Sequence, residues 1–213
     1  MTLIRSISGI RGTIGGAPGE GLTPLDTVRY TAAFGTLIAR RAGTTTPRLV
    51  LGRDARLSGP MMRDLVVGTL TGLGFEVIDL GQATTPTVEM AVTGERAHGG
   101  IILTASHNPI QWNALKLLND RGEFISSEDG AEVLRLAEAD QFDFVPVERL
   151  GRVLEGASWT RKHIDAILAL DLVDVQAIKE KRFRVVVDAV NSVGGTAVPA
   201  LLTALGVMEV IGI

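Results

Sequence analysis

The sequence predicts an α/β protein: a three-layer α/β/α domain around a mostly parallel mixed sheet, followed by an incomplete second α/β domain. Three observations carry this. Short apolar, β-branched runs alternate with longer helical stretches from residue 25 onward. Glycine or proline bounds most of the apolar runs. The same alternation resumes after an aperiodic interval at 140–157. Strand, helix, strand at such spacing implies βαβ units, and hence a sheet covered by helices on both faces.

In chain order, the glycine-rich segment Ser6 to Ile14 is expected to add an edge strand. Leu25 to Ala42 carries Val28, Ala32, Leu37 and Ile38 at helical spacing, behind the start signal Thr23-Pro24. Arg48 to Gly52 reads as a buried strand, Gly59 to Gly72 as a helix and Phe75 to Leu80 as a second strand. Pro86 to Glu95 should be helical, Gly99 to Thr104 a third strand, Ala114 to Leu118 another, and Ser127 to Ala139 a helix. Asp140 to Ala157 is read as a linker, dividing a domain at 1–145 from a partial one at 155–213. In the latter, Ser158 to Leu170 should be helical, Phe183 to Asp188 a strand, Gly194 to Leu205 a helix and Val207 to Ile213 a strand. Ending on an apolar strand, that unit is expected to be unfinished or to need a partner, for which a homo-oligomer is one route.

Composition excludes several function classes. The chain has 213 residues, 46% of them hydrophobic, so a disordered tail is ruled out. A formal net charge of -3 with interspersed signs gives no nucleic-acid footprint and no polybasic membrane patch. With no cysteine, disulfides and thiolate chemistry are excluded. No secretory pattern opens the chain and no apolar run approaches the ~18 residues of a spanning helix, which favours a cytoplasmic protein. The partner is expected to be a small molecule.

Chemistry concentrates in Thr104-Ala105-Ser106-His107-Asn108-Pro109. The segment leaves a buried strand, and ligands of α/β sheets bind beyond the carboxyl ends of strands. Asn-Pro signals a turn, so Ser106 should sit on a tight loop whose backbone N–H groups can face an anion. A hydroxyl held there could accept a phosphoryl group and return it. Two other readings stand beside this one. Ser106 and Asn108 could merely cap a helix. A serine hydrolase would need a G-x-S-x-G elbow, which is absent, and His98 and His163 have no evident triad setting. On spacing alone Lys116 could be a solvated surface lysine.

The T-A-S-H-N-P run followed by Asn113 and Lys116 closely resembles the active-serine loop of the α-D-phosphohexomutases. That family includes phosphoglucomutase, phosphomannomutase and phosphoglucosamine mutase. Three more segments resemble it in the same order: Ser8-Gly9-Ile10-Arg11-Gly12, Gly52-Arg53-Asp54-Ala55-Arg56-Leu57-Ser58-Gly59, and Thr84-Thr85-Pro86-Thr87. The resemblance is strong over residues 1 to about 140.

The resemblance implies that Ser106 is a phosphoserine exchanging phosphate with a hexose phosphate through a bound bisphosphate sugar. Arg11 would clamp phosphate oxygens with its forked donors. Lys116 would act electrostatically or as an acid–base group. His107 and Asn108 would contact the phosphate or hold the loop, a structural role weighing equally for His107. Arg53, Asp54 and Arg56 are read as a buried ion-pair network, because charges beside a core strand need partners. Gly9, Gly12, Gly15 and Gly16 are read as the backbone freedom of the arginine loop. Trp112 is read as packing.

The implied cofactor is Mg2+, held in the family by the phosphoserine and a D-x-D-x-D-R loop. No such loop occurs here, and Asp171 and Asp174 lack its spacing. Ser106 would thus be the one metal ligand of this chain, and a hexose 1,6-bisphosphate the implied activator. The expected activity is interconversion of hexose 1- and 6-phosphates, leaning to glucosamine, in a longer enzyme of which this chain alone would be inactive. The alternatives are phosphomannomutase or phosphoglucomutase specificity, and a phosphate-binding module that is not an enzyme.

Overall fold

The structure, a computed structural model, describes residues 2–6, 9–156 and 158–213. Among these residues a seven-stranded sheet has the order β1-β2-β6-β5-β3-β4-β7. Its strands are β1 (Ile4–Ser6), β2 (Gly9–Thr13), β3 (Arg48–Arg53), β4 (Glu76–Gln82), β5 (Gly100–Leu103), β6 (Trp112–Leu118) and β7 (Arg152–Glu155). Strand β3 pairs in parallel with β4 and β5, and β4 with β7. The pairs β1–β2, β2–β6 and β5–β6 are antiparallel. Two successive reversals bring β2 back to the direction of β5, so only β1 and β6 run against the rest. The sheet is mixed and mostly parallel, as expected.

Helices α1 (Pro24–Ala42), α2 (Gly59–Gly72), α3 (Thr85–Gly94) and α4 (Ser127–Glu138) begin where local chemistry starts them. Thr23 and Asp26 form a capping box ahead of α1, Pro24 occupies its first turn, and Gly43 closes it in the left-handed region. The Thr84 hydroxyl accepts from the Thr87 amide, and that of Ser126 from the Asp129 amide, starting α3 and α4.

Side chains alternate across each strand, so the sheet has two faces with separate cores. On one, Ile10, Leu49, Leu51, Ile101, Leu103, Leu115 and Leu117 pack with residues of α1, α2 and α4, Phe34, Met62 and Leu136 among them. On the other, Val50, Ile78, Ile102 and Leu118 meet Val88, Ala91 and Val92 of α3, and Trp159. Trp159 opens α5 (Trp159–Leu168), stands against Gly94 and donates its indole N–H to Glu95 at 2.8 Å.

Three expectations need correction. The segment read as one edge strand is a hairpin, in which β1 is the edge and β2 is the second strand. The interval read as a linker contains β7, which extends the first sheet at its far edge beside β4. Its pattern is invisible because an edge strand with Arg152 and Val153 exposed carries no buried run. Beyond α5 lies α6 (Val175–Lys181), which the sequence reading did not include. It is one short helix started by Asp174, whose carboxylate accepts from the Ala177 amide at 2.9 Å. The last strands, β8 (Arg184–Val187) and β9 (Glu209–Gly212), form a separate parallel pair joined through α7 (Gly194–Ala204).

Candidate active site

Strand β5 runs directly into the Thr104–Asn108 loop, and β3 into the segment from Asp54 to Ser58. Both loops therefore lie at the carboxyl ends of neighbouring parallel strands. No helix follows Ser106: the chain turns at 106–107 and enters β6 at Trp112. The helix-capping reading of Ser106 and Asn108 is thereby overturned.

Ser106 is exposed and adopts φ +54, the left-handed region that non-glycine residues seldom occupy. Its amide donates to Thr104 Oγ1 at 3.3 Å, and the Asn108 amide to the Ala105 carbonyl at 3.1 Å.

Two cations reach the same place from adjacent strands. Arg11 on β2 pairs with Ala114 on β6, whose carbonyl accepts from the Thr104 amide at 3.3 Å. Lys116 lies two residues along β6 from Ala114, on the same face, and pairs with Ile102. This is the α3 side of the sheet. Helix α3 covers β3, β5 and Leu118 at the end of β6 there, and the portion over β2 and Ala114–Lys116 is left for Arg11 and Lys116. Close approach of the two strands requires Gly9, at φ +118, because any Cβ there would collide with the Leu115 carbonyl of β6. Gly12 has a different reason, being pressed against Leu22.

Arg11, Lys116, Ser106, His107 and Asn108 all line one concavity of about 170 Å³, with Phe124 at its side. The Lys116 ammonium lies 5.5 Å from the centre of the Phe124 ring and is half-buried, so it is not a freely solvated lysine. Among the described residues no carboxylate lines the concavity, so the charged side chains facing it are Arg11 and Lys116 and it suits an anion. His98 and His163 lie outside it: His98 Nδ1 accepts from the Arg48 amide, and His163 Nδ1 is bonded to Thr87 Oγ1. A hydrolase triad has no members here beyond the adjacent Ser106 and His107. Ser8, the first residue of the arginine motif, lies outside the described residues.

The profile of the family described as phosphoglucomutase/phosphomannomutase, alpha/beta/alpha domain I, matches residues 3–144. The chain belongs to this family. A phosphoglucomutase/phosphomannomutase of Thermococcus kodakarensis is 39% identical over 197 residues, 92% of this chain and 42% of that protein. A phosphoglucosamine/phosphogalactosamine mutase of Sulfurisphaera tokodaii is 32% identical over 93% of this chain and 41% of its own length. Among solved structures, a phosphoglucomutase/phosphomannomutase family protein from Burkholderia thailandensis superposes with TM-score 0.78 at 26% identity. That match covers 99% of this chain and 44% of the other. The chain thus spans less than half the length of these relatives.

Within this phosphohexomutase fold, the G-R-D-x-R-x-S-G segment does more than pair charges. Arg56 and Asp54 form the expected ion pair at 3.1 Å, with side chains 12% and 15% exposed. Arg53 instead donates to the Asp54 carbonyl. The unforeseen part is that Arg56 also donates to the carbonyls of Ser106, Asn108, Pro109 and Trp112, at 2.8–3.0 Å. Asn113, fully buried, donates its side-chain amide to Ser58 Oγ at 2.9 Å. Sequence spacing could not show this, since 50 or more residues separate the partners. The signal that was available is the co-occurrence of the two motifs.

Mg2+ does not fit the residues present on their own. Among the described residues no group of three His, Asp or Glu side chains is placed to hold a metal, and the concavity lacks the carboxylate that Mg2+ ordinarily takes. Asp174, weighed in the sequence as a stray acidic residue, is spent on capping α6.

Proposed function

We propose that this chain supplies the phosphoserine domain, and part of the next domain, of a phosphohexomutase that interconverts hexose 1- and 6-phosphates. One observation carries the reading. An exposed serine at the carboxyl end of a parallel strand shares a concavity with an arginine and a lysine, and among the described residues no carboxylate lines it.

The Ser106 hydroxyl carries the phosphoryl group. A sugar hydroxyl attacks phosphorus, forming the new P–O bond as the bond to Ser106 Oγ breaks. The sugar hydroxyl's proton passes to the departing Ser106 oxygen, directly or by way of Lys116, so the serine hydroxyl is restored and the product is a bisphosphate sugar. After that sugar turns over, its other phosphate returns to Ser106, so no phosphate is gained or lost overall. Charge neutralisation and alignment are the main needs of this reaction. Arg11 clamps the phosphate oxygens through its forked donors, and Lys116 offsets their charge or exchanges the hydroxyl proton. His107 and Asn108 flank Ser106 and complete the phosphate pocket. Ser106 offers Mg2+ one ligand at most, the others belonging to residues outside this chain.

The substrate class is a hexose phosphate, with a lean to glucosamine phosphate supported by relatives named for that activity. The 39% identity to a protein named phosphoglucomutase/phosphomannomutase favours the alternative specificity. The division expected at about residues 145–155 is moved in this reading to beyond β7, because the pairing of β7 with β4 keeps Arg152–Glu155 on the first sheet.

The test is phosphate mapping. The mutase carrying this chain together with its remaining domains is incubated with a hexose 1,6-bisphosphate and analysed by mass spectrometry. Phosphate on Ser106 is expected. Phosphate elsewhere with Ser106 unmodified, or brisk isomerisation by the 213-residue chain alone, would overturn the reading.

A further inference from the structure

The serine loop is exposed, yet it is held from beneath by one side chain. A guanidinium has five N–H donors in a fixed planar fork. In Arg56 each has a partner. Nε binds Asp54, Nη1 takes the carbonyls of Pro109 and Trp112, and Nη2 those of Ser106 and Asn108. The same Asp54 carboxylate accepts from the Arg56 amide at 3.0 Å, which fixes the base of the side chain.

We infer that Arg56 is a positioning residue that shapes the serine loop and aims Ser106 into the concavity. Three consequences of the geometry support this. Four loop carbonyls gathered on the guanidinium are turned to one side, so their negative ends are kept from an anion bound on the other. The left-handed backbone of Ser106 costs free energy, and the bond from Arg56 to the Ser106 carbonyl restrains that very residue. Finally, Asp54 neutralises the guanidinium, so its contribution at Ser106 is geometric more than electrostatic. Arg56 itself does not line the concavity.

The consequence for turnover rests on the phosphoserine reading; the structural claim does not. A lysine keeps the charge but cannot span four carbonyls and a carboxylate at once. In the 213-residue chain, Arg56→Lys is expected to shift the amide resonances of residues 104–112. It should also speed hydrogen exchange of the bonded amides of Ser106, Asn108 and Trp112 by about tenfold, with β3 amides unchanged. In the mutase with all its domains, kcat and kcat/KM should fall together by roughly 100-fold with KM held, as misplacement by an ångström can cost that much. A merely structural role would lower the melting temperature and leave this split and the loop-specific exchange unmoved.

Unchanged loop amides in a folded Arg56→Lys protein would overturn the inference. So would wild-type kcat in that variant. If Arg56→Lys fails to fold, Asp54→Ala decides, because it leaves the guanidinium and removes only its anchor. Disturbed loop amides would then support the inference, and undisturbed ones would overturn it. If the wild-type mutase takes no phosphate on Ser106, the mutase reading fails, while the amide measurements still decide the role of Arg56.

Discussion

Substituting Gly9 by alanine isolates the contact that brings Arg11 and Lys116 together. A Cβ at Gly9 would come well inside van der Waals contact with the Leu115 carbonyl oxygen and lie 3.1 Å from Lys116 Cα. Both are backbone atoms of β6, so no side chain can swing aside to make room. The φ of +118 adds strain of about 1–3 kcal/mol for a non-glycine residue. Relief requires β2 to lift from β6 near the Ile10–Leu115 pair, loosening ladder bonds each worth roughly 0.5–1.5 kcal/mol net. With two such bonds loosened, the sum is about 2–6 kcal/mol. For a chain of this size that lowers the melting temperature by roughly 4–24 °C. Gly15→Ala is the control. Gly15 has φ +98 but nothing within 4 Å of its would-be Cβ, so it carries strain alone. Thermal unfolding followed by circular dichroism should place Gly9→Ala about 1–3 kcal/mol below Gly15→Ala. Equal melting of the two variants would refute the steric argument, and with it the idea that glycine here sets the spacing of the two cations.

Two further outcomes are expected. Ser106→Gly should be more stable than Ser106→Ala by about 0.5–1 kcal/mol, since relief of the left-handed backbone, worth about 1–2 kcal/mol, outweighs the larger conformational entropy that glycine loses on folding; calorimetry of the two variants checks this. Glu76, 14% exposed, accepts from Arg152 and from Arg48, each at 2.9 Å. The Arg152 bond foremost holds its carboxyl below the usual carboxylate range, against the opposing push of burial. A depressed folded pKa means stability that is present above the unfolded value of about 4.3 and lost as pH falls through the folded one. Denaturant midpoints from about pH 5 down to pH 3 should therefore drop less steeply in Glu76→Gln than in the wild type.

The legible parts of the fold are those where periodicity and punctuation coincide. Helix α2 is legible to its observed bounds because Gly59-Pro60 and Gly72 enclose an apolar repeat, and β3 to within one residue, Arg53 lying past the expected end at Gly52, because Pro47 precedes a run buried on both faces. Strand β7 and helix α6 were missed because one is an exposed edge and the other only 7 residues long, too short for a helical period to register. In the candidate site, Ser106, Arg11 and Lys116 were singled out by motif, and the structure brings all three to one concavity. Arg56 was seen as a charge needing a partner. That its partners are carbonyls 50 to 56 residues away is a tertiary fact, with no local pattern to announce it.

The same alternation that builds the core also determines where the site can be. On β6, Leu115 and Leu117 point to the helices α1 and α4, so Ala114 and Lys116 must point the other way. On β2, Ile10 joins that core and sends Arg11 to the opposite face beside them. The opposite face is closed over β3, β4 and β5 by α3 and Trp159, whose small partners Ala91, Ala83 and Gly94 let them pack tightly. Over β2 and the Ala114–Lys116 part of β6 it is open. A charged residue placed two positions away on either strand would stay on this face, whereas a shift of one would bury it among leucines. The register of β2 on β6, fixed by the close approach at Gly9, is therefore what converts two separated cations in the sequence into one anion-binding surface next to Ser106.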